Sequence, residues 1–299
     1  MWGYFSRPRL SLIPKALTVS GLGLLTKSMV SNHLQNAARD AQWFAHRDLE
    51  EPINDAGLRS SGGGGHQSKT MMLSELTIIL GVAEARGLPA ALAAVQSENL
   101  LGKPSTAAAT SALKNLASLY GLKVPPPVTR AMVRLWAGGP ESRPVLAVLC
   151  ALARDPLLRD TAQAVLTAPV GTSVGAKDLA EVLVQKHPER FSPAMLRSLA
   201  QNCASTWTQS GHLSGKVNKV RTRVEATPEA TAFAAFIAQA AGFGGPAVLS
   251  SPWMAVLDAT PEEQLGLLRR AQGRGLVRMR HAGAVFELQI SPELTANFA

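Results

Sequence analysis

Two basic clusters are the residues whose types and spacing best suit chemistry. Lys216, Lys219, Arg221 and Arg223 fall within eight residues with no acid between them, beside Asn218 and Thr222. Long cations next to short amide and hydroxyl groups suit phosphate oxygens, through charge neutralisation and hydrogen bonding. The second cluster is Arg269, Arg270, Arg274, Arg278 and Arg280, spread over the end of one predicted helix and the strand after it. The competing readings are a solvated linker for the first cluster. For the second they are helix-dipole compensation and a charged strand edge.

Catalytic and metal-binding patterns are missing from the chain. The six histidines (His33, His46, His66, His187, His212, His281) are scattered, with no HxxxH spacing and no local carboxylate arrangement for a metal. No phosphate-binding GxxxxGK[ST] loop and no GxSxG elbow occur. Acidic pairs such as Glu50-Glu51 and Glu262-Glu263 fall in loops or at helix starts, where carboxylates complement the dipole. The expectation is a protein without catalysis or a cofactor. Cys150 and Cys203 lie in apolar helical patterns, cannot form a disulfide framework, and fit buried thiols in a reducing cytosol.

Composition agrees with a helical, polyanion-seeking chain. Of 299 residues, 46% are hydrophobic, 17% charged and 5% aromatic, which excludes a wholly disordered or collagen-like protein. Ala and Leu carry most of the apolar content and favour helix. Lys plus Arg number 30 against 21 acids, a net charge of +9, which suggests a nucleic acid or another polyanion as partner. The longest uncharged stretch, 231–249, is interrupted by Gln239, Gly242, Gly244, Gly245 and Pro246. It is too broken to cross a membrane.

The elements that must position these residues are predicted as three regions. Residues 1–70 form a basic extension without an acid before Asp40, closed by a flexible linker at Ser60-Ser61-Gly62-Gly63-Gly64-Gly65. Its apolar stretch from Ala16 to Leu25 only loosely resembles a leader peptide. A possible helix spans 27–47. Met71-Met72 open the first firm helix, so residues 1–70 read as a poorly specified extension or an over-extended start.

Residues 71–225 read as a bundle of helices: 71–86, 89–96, 105–120 behind the cap Ser105, 128–137, and 143–154, which is apolar nearly all round. Asp155-Pro156 opens the next helix, ending before Pro169. A helix at 176–186 follows, and Ser192-Pro193 opens a helix to Gly211 with Leu196, Leu199, Cys203 and Trp207 on one face. Trp207 fits the core better than a base-stacking platform.

Residues 226–299 read as a smaller unit. Helices begin at Thr227-Pro228, Ser251-Pro252 and the capping box Thr260-Pro261-Glu262-Glu263. Strands at 276–280 and 284–290 follow, with Phe286, Leu288 and Ile290 on one face. Three helices and a β-hairpin are the order of a winged helix. The fold class expected is therefore mainly α, a multi-helix bundle followed by a small winged-helix-like domain.

Residues 73–215 also resemble the BrxA family of BREX phage-exclusion accessory proteins. The shared features, in order, are Glu98-Asn99-Leu100-Leu101, the cap Pro104-Ser105-Thr106, and Leu149 through Asp155-Pro156-Leu157-Leu158-Arg159-Asp160. Phe191-Ser192-Pro193, Gln201-Asn202 and Trp207 to Gly211-His212-Leu213 follow. The resemblance implies an all-helical, non-catalytic, cytoplasmic accessory of a bacterial antiviral system. Its partners would be double-stranded DNA and the system's methyltransferase or ATPase components. Two features depart from the family: the 70-residue extension, and Ala107-Ala108-Ala109 where the family has arginines on the third helix. The expected DNA contacts therefore move to Lys216, Lys219, Arg221, Arg223 and the five C-terminal arginines. The alternatives are a protein scaffold of a defence complex and a winged-helix transcription regulator.

Overall fold

A computed structural model describes Phe44 and residues 55–61, 64–282 and 285–298. The possible helix at 27–47 lies, apart from Phe44, outside these residues. The described chain is mainly helical, with one two-stranded hairpin near each end of its last third.

Local sequence sets the helix starts. Helix α1 (Leu73–Arg86) ends at Gly87 and α2 (Leu88–Ser97) follows at once. Helix α3 (Thr106–Tyr120) is capped by Ser105, whose hydroxyl accepts the Ala108 N–H, and Gly121 ends it in the left-handed region. Helix α4 (Pro127–Leu135) starts after the triple proline and passes into a 3-10 turn, Trp136–Gly138. Helix α5 (Arg143–Arg154) is buried from Val145 onward, as an apolar pattern on every face requires.

The segment expected as one helix after Asp155-Pro156 is two short ones, α6 (Pro156–Asp160) and α7 (Ala162–Leu166). Thr161 divides them. Its hydroxyl donates to Leu158 O at 2.7 Å and accepts the Trp207 indole N–H at 2.9 Å. Helix α8 (Ala176–Lys186) then packs against α9 (Pro193–Gln209).

Strands β1 (Leu213–Ser214) and β2 (Val220–Arg221) form an antiparallel hairpin, not the solvated linker of the competing reading. Helix α10 (Pro228–Ala240) is buried on all sides and packs on α4 and α5. Helices α11 (Pro252–Ala255) and α12 (Pro261–Gly273) lie against it. Strands β3 (Val277–Ala282) and β4 (Val285–Ile290) close the fold in antiparallel register, with Met279 opposite Leu288.

The boundary expected near 226 does not divide the core. One contiguous apolar cluster runs from Phe44 to Leu294 and includes both α5 and α10. Nor is the region before Met71 loose where it is described. Phe44 meets Trp253 edge-on at 4.7 Å between ring centroids, and Leu58 is buried. Gly64 and Gly65 are not linker: a Cβ on Gly64 would lie 1.8 Å from Asp155 Oδ1. Among the described residues no helix is long and apolar enough to cross a membrane.

Candidate nucleic-acid interface

The structure splits the first basic cluster. Lys216 is exposed in the β1–β2 turn, beside Gly215, which has φ +101° and approaches Asn218 O too closely for any Cβ. Lys219 folds back on the hairpin base, donating to Thr208 Oγ1 at 2.7 Å and to Gly215 O at 3.2 Å. Partial burial lowers its ammonium pKa.

Arg221 corrects the expectation outright, because its side chain is interior. It is 2% exposed and grips the Asp258 carboxylate with both terminal nitrogens, while Nε donates to Val165 O at 2.8 Å. A guanidinium can enter an interior only with such a set of acceptors. Asp258 in turn accepts the Val224 N–H at 3.0 Å, so the ion pair fastens β2 to the loop before α12.

Arg223 is half exposed but engaged. Nε donates to Asp258 O at 2.9 Å and Nη2 to Glu263 Oε2 at 2.5 Å. Glu263 also closes the capping box by accepting the Thr260 N–H at 2.7 Å. That backbone bond and the Arg223 side chain hold its carboxyl below the usual glutamate range.

The second cluster survives better. Arg269 and Arg270 near the end of α12 are exposed, with no ion pair among the described residues. Arg278 and Arg280 project from the outer face of β3, while Val277 beneath them is buried. Arg280 stands 4.0 Å from Glu287 across the hairpin, both well exposed, a pair worth little in water. Arg274 is the exception. At the C-cap of α12 it pairs with the buried Glu229, which also accepts from Ser142 Oγ at 3.3 Å.

Helix and hairpin hold these arginines on one packed unit. Gln272 of α12 accepts the Met279 N–H at 2.8 Å, and Gln239 of α10 donates to Leu288 O at 2.8 Å. Both bonds use edge groups of the hairpin that strand pairing leaves open. A cleft of about 500 Å³ lies between α12 and residues 223–226, with Arg223 and Arg270 at its rim and Val224, Leu257 and Leu267 in its wall.

A buried polar cluster was not anticipated. His66 Nδ1 lies 2.7 Å from Asp155 Oδ2, and His66 Nε2 lies 2.8 Å from Thr206 Oγ1. Hydroxyl, imidazole and carboxylate in that order resemble a nucleophile, base and orienting acid. Here all three are fully buried, and Thr206 Oγ1 also accepts the Met71 N–H at 2.9 Å. Asp155 takes the His66 N–H at 2.9 Å and caps α6 through Leu157 and Leu158. Burial works against its charge, but the His66 bonds outweigh it and leave the carboxyl below its ordinary value. The cluster is a clamp that ties the segment before α1 to α6 and α9. Asp155 was legible as a cap, but His66 lies 89 residues from it and 140 from Thr206, beyond any local pattern.

His212 is likewise interior. Its Nε2 donates to Val256 O at 2.8 Å, so Nδ1 accepts from Ser210 Oγ at 2.8 Å. Burial lowers its pKa to about 4, keeping the ring neutral near pH 7. The two thiols are interior as expected, and burial pushes Cys150 up to about 12 and Cys203 well above its usual value. No group of three or more His, Cys, Asp or Glu that could hold a metal occurs among the described residues.

No family model matches the chain, and no curated protein matches it in sequence.

Proposed function

We propose that this chain is a non-catalytic, cytoplasmic DNA-binding accessory of a bacterial BREX-type phage-defence system, contacting duplex DNA mainly through phosphate. The observation that carries the reading is the outward set Arg269, Arg270, Arg278 and Arg280 on the packed α12–β3 unit. Four guanidiniums without close buried counter-charges suit a phosphate backbone. The order α10, α11, α12, β3, β4 is that of a winged helix, in which the last helix and the hairpin face DNA. Trp136, Trp207, Trp253 and Tyr120 are buried, so these side chains offer no stacking platform of the kind single strands use. The resemblance to BrxA adds the defence context and the system's methyltransferase or ATPase as partners.

The competing reading is a protein scaffold. It is favoured by the cleft between α10 and the hairpin, about 970 Å³, whose walls include Phe236, Leu288, Ile290 and Pro292.

The test is duplex binding by fluorescence anisotropy over a range of salt, comparing the wild type with Arg269/Arg270/Arg278/Arg280→Ala. At about 0.9 per phosphate contact, losing four contacts lowers the log–log salt slope by about 3 to 4. Substituting Lys216 alone changes it by at most about 1. Binding that persists with an unchanged slope in the fourfold variant overturns the placement. No binding at low salt overturns the DNA reading and leaves the scaffold.

A further inference from the structure

The segment after β4 lies as a strap over α4. Leu294 is buried and anchors it, Thr295 is half-buried, and Ala296, Asn297 and Phe298 are exposed. Two arginines one turn apart on α4 hold the strap by its backbone. Arg130 Nε donates to Thr295 O at 2.7 Å, and its Nη1 donates to Pro125 O at 2.6 Å. Arg134 Nη1 donates to Ala296 O at 2.7 Å and Leu294 O at 3.3 Å, and Nη2 donates to Asn297 O at 3.0 Å. The same guanidinium sits 4.9 Å from the Phe298 ring centroid.

Neither arginine has a carboxylate within ion-pair distance among the described residues. Among the described residues, the two positive charges are met by neutral carbonyl oxygens. Hydrogen bonds from guanidinium to an ionised oxygen are roughly twice as strong as bonds between neutral groups, and phosphate matches the guanidinium fork. Past Leu294 no side chain is fully buried: Thr295 is half-buried and Phe298 is 37% exposed with its ring against Arg134, so opening the strap uncovers one aromatic ring and no part of the main core.

We infer that Arg130 and Arg134 form an anion site for a phosphate-bearing ligand, and that strap 295–298 occupies this site in cis and competes with the ligand. The inference is independent of the arginines on α12 and β3.

Competition of this kind reduces apparent affinity by the fraction of molecules with the strap open. If the strap is closed about nine-tenths of the time, removing it raises affinity about tenfold. The experiment is calorimetric titration with pyrophosphate of the full chain, of a variant ending at Leu294 as a C-terminal amide, which keeps a new carboxylate away from Arg134, and of that variant carrying Arg130→Ala and Arg134→Ala. A thermal melt of each confirms folding. A gain of about tenfold on shortening, abolished by the two alanines, is the expected result. An unchanged affinity in a folded shortened chain overturns the inference, as does a gain that survives the alanines.

Phe298→Ala in the full chain guards against misfolding of the shortened one. It leaves Leu294 in place and weakens only the ring contact, so it gives a smaller gain in the same direction, and no gain overturns the inference. Repeating the titrations with a short duplex separates the source of the phosphate. A gain for pyrophosphate alone assigns a free phosphate compound, whereas a gain for both assigns a nucleic-acid backbone.

Discussion

Arg221 and Lys216 are five positions apart, carry the same charge and do opposite things. The lysine stands in solvent at a turn, whereas the arginine is sealed against Asp258 and three backbone carbonyls. Removing one partner of a buried ion pair leaves the other uncompensated, at a cost of about 3 to 5 kcal/mol. Urea denaturation of Arg221→Ala is expected to show a loss of that order, and Lys216→Ala to stay within about 0.5 kcal/mol of wild type. An Arg221→Ala protein with unchanged midpoint and weakened DNA binding would return this residue to the interface. The same distinction applies to the motif residues behind the family resemblance. Asp155, Trp207 and His212 are fully buried and hydrogen-bonded, and Asn202 donates to His66 O at 2.8 Å. Those positions hold the scaffold.

At the scale of elements, side-chain caps were the most legible signal. Ser105, Asp155, Ser192, Thr227, Ser251 and Thr260 each accept the backbone N–H that starts their helix, because a cap depends on residues within three positions. The Gly-rich run before Met71 misled for the complementary reason. Composition marks it as flexible, but Gly64 and Gly65 are the residues slim enough to bring the chain against Asp155 and place His66. Asp155 cannot yield, since His66, Leu157 and Leu158 all bind its carboxylate. Gly64→Ala is expected to destabilise the fold by about 1 to 3 kcal/mol, the range of an overpacked interior. Ala substituted at exposed Ser61, three residues earlier, should be nearly neutral. Equal thermal midpoints for the two variants would show that this turn is not fixed by the clamp.

For the molecule as a whole, the described residues just before Met71 are structural. Arg154 donates to Leu119 O and to Gly57 O, and Arg59 N donates to Ala153 O at 2.8 Å, so residues 57–59 lie against the end of α5. Burial, and after it the nearby Arg59 charge, lowers the Arg154 pKa, which is why those carbonyls matter. A chain beginning at Met71 would expose the Asp155 carboxylate, Thr206 and the pocket of Leu58 together. It is expected to lose its sharp thermal transition, read by circular dichroism, or to melt more than about 10 °C lower, given that about 1 kcal/mol moves a domain's midpoint by 2 to 8 °C. A midpoint within a few degrees of the full chain would instead make the extension dispensable to the fold.

The sequence by itself determined the helical class, most helix starts, the buried thiols, the C-terminal hairpin and the placement of Arg278 and Arg280 on one strand face. Each of these follows from spacing within a few residues: a cap and its third neighbour, a 3.6-residue stripe, or alternation along a strand. Only the tertiary structure decided that β1 and β2 pair, that α5 and α10 share one core, and which arginines remain free. Those outcomes depend on partners far apart in the chain, such as Arg221 with Asp258, Arg274 with Glu229 and His66 with Asp155. A guanidinium reads the same in sequence whether it meets water or a buried carboxylate, and it is the packing around it that chooses.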